Sequence, residues 1–126
     1  MGEGHEGGLR RLLHRLASSE SELEAAELQE ETREEGGTLV SVCADRQRTA
    51  VVGTLRAVTL RPRGGVPALE AELYDGSATL DLVWLGRRQI PGIEPGRRLR
   101  AEGLVQVHDD RRVMFNPRYD LKPVSG

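Results

Sequence analysis

A chain of 126 residues, 37% hydrophobic and 30% charged, carries enough apolar material for one globular domain plus an extension. Aromatic residues make up only 3%, so the core has to be built from Val, Leu and Ala. The net charge of −2 excludes a strongly polycationic protein but conceals an asymmetry: residues 1–48 carry 11 acidic and 6 basic side chains, a balance of −5, and residues 49–126 carry 9 and 12, a balance of +3.

An acidic leader before a basic body raises the question of a polyanionic partner. Lys122 is the only lysine. The arginine bias suits phosphate recognition by paired donors and equally a GC-rich genome. Cys43 is the only cysteine, which excludes an internal disulfide framework and a Cys-based metal site. His5, His14 and His108 lack ligand spacing, so no metal or cofactor is expected. The opening MGEGHEGG has no apolar signal core, and no run approaches the roughly 18 apolar residues of a membrane span. The sequence reads as soluble and cytoplasmic, without membrane contact.

Leu9, Leu12, Leu13 and Leu16 fall at i, i+3, i+4 and i+7, one face of a short helix. That face suits docking on the domain, on a protein partner or on a second copy. Ser21 with Glu24 forms a plausible capping box for a second, acidic helix that frays into Gly36-Gly37. Residues 1–37 are thus expected to be an acidic helical or partly disordered extension, and residues 38–123 a separate β domain.

From Thr38 the texture turns to Val, Thr, Leu and Gly. Thr49–Arg61 is a long β-type run with Gly53 inside, which signals a bend or bulge. Pro67–Tyr74 alternates, with Leu69, Ala71 and Leu73 on one face and Glu70, Glu72 and Tyr74 on the other. Asp75-Gly76 is a hairpin signal. As a two-residue turn it sets Tyr74 opposite Ser77, Glu72 opposite Thr79 and Glu70 opposite Asp81. Leu80, Leu82 and Trp84 then form the core face of a third strand. The segment Gly86–Gly96 breaks the pattern and has room for one helical turn. Arg97–Val107 and Arg111–Phe115 read as the fourth and fifth strands, around a polar turn at His108-Asp109-Asp110, and NPRYDLKP closes the chain.

Five strands with internal glycines, in this order, fit a small closed Greek-key barrel. The strings YDGSATLDLVWLGRR, IPGIEPGRRL and NPRYDL, within residues 48–122, resemble the small OB-fold proteins of high-GC, actinobacterial-type bacteria. More distantly, they are similar to the wedge domain of a branch-migrating DNA helicase and to the anticodon-binding domains of tRNA synthetases. The resemblance implies an all-β, five-stranded OB-fold barrel with an N-terminal helical extension, and a nucleic-acid partner: single-stranded or structured DNA, or RNA.

OB-folds bind ligands over strands 2 and 3, between the strand 1–2 and strand 4–5 loops. Here the first loop, RPRGGVP, offers Arg61 and Arg63, either as phosphate grips or as part of a soluble Gly turn. The second, VHDDRRV, offers Arg111 and Arg112 beside two opposing aspartates. Tyr74 is the ring expected on the face between them, and Arg87, Arg88 and Arg118 complete the candidate contacts. Glu70, Glu72 and Asp81 make that face acidic, unlike a typical single-strand groove. No nucleophile elbow, phosphate loop or zinc signature is present, so no enzyme is expected. Two readings stand: a non-enzymatic module contacting backbone phosphates, and a protein-interaction module that binds no nucleic acid.

Overall fold

The computed structural model describes the backbone of residues 3–124 and the side chains of residues 18–124. It contains helix α1 (Glu3–Glu34), a 3-10 turn (Val40–Val42), and strands β1 (Gln47–Leu60), β2 (Ala68–Tyr74), β3 (Thr79–Leu85), β4 (Arg98–His108), β5 (Arg111–Phe115) and β6 (Arg118–Leu121). The first half of β1 pairs antiparallel with β4, and its second half with β2. β3 joins β5 in parallel, and β5 returns antiparallel to β4. The circuit β1-β2-β3-β5-β4-β1 is therefore closed, and the architecture is that of an OB-fold with one N-terminal helix.

Closure depends on β1 serving two partners, so it must bend. Its register shifts between Leu55 and Ala57, a bulge that increases local twist. A side-chain carbon at Gly53 would sit 2.4 Å from the Tyr74 carbonyl oxygen, so only glycine lets β2 pass this close. Inside, Leu69, Ala71 and Leu73 of β2 meet Leu80, Leu82 and Trp84 of β3, as their alternation predicts. Trp84 Nε1 donates to the Pro117 carbonyl at 3.2 Å, and its ring meets Tyr119 edge-on.

Four features depart from the sequence reading. The β2–β3 turn has four residues, with Tyr74 opposite Thr79, Glu72 opposite Asp81 and Glu70 opposite Val83. Its cause is the Asp75 carboxylate, which accepts from Ser77 N (2.9 Å), Ser77 Oγ (2.7 Å) and Ala78 N (3.2 Å). That closed loop displaces the two-residue turn. The connector 86–97 forms turns rather than a helix, yet still buries Ile90 and Ile93 against the core. A sixth strand, too short for a periodicity signal, pairs with β4 and packs Tyr119 and Leu121 on the core.

The fourth departure is α1, one helix where two pieces were expected. Neither Gly nor Pro interrupts residues 9–35, so Ser21 lies inside the helix and caps nothing. The helix stops cleanly. Gly36 has φ +69°, its N–H bonds Arg33 O, and Gly37 N–H bonds Thr32 O, the paired bonds of a Schellman motif. Thr38 N–H then bonds Ala50 O on β1, turning the chain onto the barrel.

The last turns of α1 dock on that barrel. Leu28 and Thr32 are each 1% exposed, and Thr32 Oγ1 reaches the Val52 carbonyl at 3.4 Å. Gln29 Nε2 donates to Gly76 O at 3.0 Å. Around this seam Glu24 pairs with Arg56 (3.2 Å), Glu31 with Arg98 (3.3 Å) and Lys122 (3.3 Å), and Glu35 with Lys122. Contacts thus cross the boundary placed after residue 37, and part of the charge asymmetry is internal pairing. The face of Leu9, Leu12, Leu13 and Leu16 lies outside the residues whose side chains are described.

Candidate nucleic-acid interface

Because Leu69, Ala71 and Leu73 point inward, Glu70 and Glu72 of β2 and Asp81 of β3 face outward. They line a groove of about 770 Å³ between the β1–β2 loop and the β4–β5 turn. Both loops deliver arginines into it. In the first, Arg63 and Val66 exchange two backbone hydrogen bonds (2.8 and 3.0 Å) around Gly64 (φ +56°) and Gly65 (φ +79°). Two central residues with positive φ make this a tight hairpin turn that favours glycine. In the second, Asp109 and Asp110 take the same role (φ +48° and +64°).

The arginines are held by the carboxylates they meet. Arg63 Nε donates to Glu70 at 2.6 Å, with Arg61 3.9 Å from the same carboxylate. Arg111 forms a two-pronged bond with Asp81, both contacts at 2.7 Å, and lies 3.8 Å from Glu72. Those bonds to Asp81 raise the Arg111 pKa further. Glu70 and Asp81 are thus engaged by arginines. Arg63 also covers the Phe115 ring at 5.5 Å, above a small outer apolar cluster of Ala68, Val83 and Val113. Phe115 was missed by the sequence reading. With Met114 inside, the alternation of β5 already put Val113 and Phe115 outside.

The other candidates separate. Arg112 faces away from the groove and donates to the backbone carbonyls of Cys43 (3.0 Å) and Ser41 (3.1 Å). Tyr74 lies beside α1, outside the groove, with Arg56 4.2 Å above its ring. Arg97 donates to the Lys122 carbonyl, and Arg100 pairs with Glu102.

The segments that carry Arg87, Arg88 and Arg118 are set by backbone contacts at one end of the barrel. Gly86 N–H bonds Pro67 O (2.7 Å), joining the segment after β3 to the β1–β2 loop. Asn116 N–H bonds Val83 O (2.6 Å), and Asn116 Oδ1 accepts from Leu85 N (2.9 Å), which sets the start of β6 beside them. All three arginines are exposed, and none has a carboxylate within ion-pair distance among the described residues. Arg61 and Arg63 border the same end.

No protein-family model matches the chain, and no curated protein matches it. Among the solved structures that share the fold are two of low sequence identity. One is RecG bound to a three-way DNA junction, with a TM-score of 0.56 and 16% identity over 71% of this chain and 13% of that one. The other is the p204 HINb domain, with a TM-score of 0.58 and 15% identity over 72% of this chain and 49% of that one. The chain spans less than half of either neighbour, and the likeness, at these identities, is one of OB-type fold.

Proposed function

We propose that this chain is a non-enzymatic nucleic-acid-binding module. It holds DNA or RNA by backbone phosphates at the barrel end where the β1–β2 loop, the segment after β3 and the start of β6 meet. One observation carries the reading. Arg87, Arg88 and Arg118 are exposed there without a carboxylate partner among the described residues, whereas the groove arginines are held by Glu70 and Asp81. A free guanidinium presents the paired donors that match phosphate oxygens. Arg61, with its side chain 67% exposed, extends the set toward the groove. The neighbour bound to a three-way DNA junction supports the ligand class.

The test is a titration of labelled single-stranded DNA, duplex DNA and RNA at about 50 and 200 mM salt. Replacing Arg87, Arg88 and Arg118 with alanine removes three single-strand phosphate contacts. The slope of log K against log salt should flatten by about 2.1. Equal affinity of parent and variant at both salts refutes the placement.

A second reading, a protein-interaction module, is favoured by Leu60, Val66 and Leu85, which are 51%, 44% and 42% exposed around the same end. Absence of nucleic-acid binding by the parent at low salt selects it.

A further inference from the structure

The docked face of α1 is charged in a particular way. Glu24, Glu31 and Glu35 follow at i, i+7 and i+11, which aligns them along one side of the helix. Each meets a cation of the barrel: Arg56, Arg98 and Lys122. Arg98 and Tyr74 flank Thr54 in adjacent strands, and Arg56 lies over the Tyr74 ring. Along the edge of the helix is therefore a row of cations with an aromatic ring, the composition that tracks a single strand by phosphate contact and base stacking. A cleft of about 360 Å³ between Ser21, Glu24, Arg56, Tyr74 and Thr79 already opens at one side of the seam.

The seam is specific but lightly built. A side-chain carbon at Gly76 would sit 2.2 Å from the Ala25 carbonyl oxygen, so helix and turn are fitted to each other. Of the large apolar side chains on the described part of α1, only Leu28 is buried, while Leu23 is 61% exposed. The Glu24–Arg56 pair is half exposed on both sides, so salt screens it and it adds little.

We propose that α1 is a displaceable acidic cover over a second single-strand contact surface formed by Arg56, Tyr74, Arg98 and Lys122. Its carboxylates occupy the positions that phosphates take when the helix lifts. The inference shares the nucleic-acid ligand class of the proposed function but concerns a different part of the barrel, so the two fail separately.

Three full-length variants test it with a labelled thymidine oligonucleotide over a salt series. Glu24→Gln, Glu31→Gln and Glu35→Gln together remove the competing charges. Glu22→Gln, Glu27→Gln and Glu34→Gln remove equal charge from exposed carboxylates that pair with nothing among the described residues. Leu28→Asp lifts the helix. The first set should tighten binding and steepen the slope of log K against log salt by about 2.1, three added phosphate contacts. The second should leave the slope unchanged, and Leu28→Asp should follow the first. Arg56→Ala and Arg98→Ala added to the first set should remove most of the gain. Equal slopes for the two glutamine sets overturn the proposal, because net charge then explains the whole effect. If Leu28→Asp does not fold, the glutamine sets decide alone. A gain with no binding by the parent upholds the covered surface and refutes the arginine end.

Discussion

Replacing Asp75 with alanine should be among the most damaging single changes outside the apolar core. Asp75 is fully buried. One carboxylate oxygen accepts from Ser77 N, Ser77 Oγ and Ala78 N, and the other from Val40 N at 2.8 Å. The carboxylate therefore shapes the β2–β3 turn and ties it to the segment that enters β1. Alanine leaves the Val40 N–H without a partner in a residue that is 0% exposed, a penalty of about 1–3 kcal/mol. Ser77 and Ala78 are only partly buried and recover water, so their lost bonds cost about 1 kcal/mol each. The sum is about 4–6 kcal/mol, a large part of the roughly 5–15 kcal/mol that stabilises a small domain. Urea unfolding followed by Trp84 fluorescence measures it, with a lower midpoint at an unchanged slope. A loss under about 1 kcal/mol, typical of an exposed site, refutes the reasoning.

Gly53→Ala should destabilise by about 1–3 kcal/mol or more, since the added carbon meets backbone, the Tyr74 carbonyl, which cannot swing aside; thermal melting reads the loss. Burial pushes the Cys43 thiol pKa above its ordinary value, only partly offset by Arg112, so the native thiol should react with an aromatic disulfide far more slowly than the unfolded chain. With the folded pKa raised, the thiol's contribution to stability is full below the unfolded thiol pKa and is lost as pH rises through the folded value, which unfolding midpoints across alkaline pH would show. Glu70→Gln with Asp81→Asn should release Arg61, Arg63 and Arg111 into the groove and steepen the salt dependence of single-strand binding by about 0.7 for each arginine recruited. An unchanged slope means that nucleic acid does not enter the groove.

The barrel was legible because its signals are local. Period-two alternation placed Leu69, Ala71 and Leu73 opposite Leu80, Leu82 and Trp84, and Gly53 marked the bend in β1. The same alternation correctly turned Glu70, Glu72 and Asp81 outward. What escaped depends on contacts distant in sequence. The hairpin register turned on Asp75, whose carboxylate also binds Val40, 35 residues away. Among the described residues, the seat of α1 rests on Leu28 and on carboxylates whose partners lie in β1, in β4 and after β6. The spacing of Glu24, Glu31 and Glu35 on one side of the helix was readable, but nothing local says which cations they meet. The candidate arginines were found by residue type. Their division into groove-bound Arg63 and Arg111, backbone-bound Arg112, and Arg87, Arg88 and Arg118, unpaired among the described residues, is a property of the fold.

The location of the interface is most directly tested by following each arginine Nε–Hε NMR signal while a thymidine oligonucleotide is added at low salt. Phosphate contact at the barrel end shifts the signals of Arg87, Arg88 and Arg118, with Arg61 following, and leaves Arg112, bound to the Ser41 and Cys43 carbonyls, unmoved. Shifts confined to Arg111 and Arg63 would place the ligand in the groove, and no shift at saturating oligonucleotide would contradict nucleic-acid binding by this barrel.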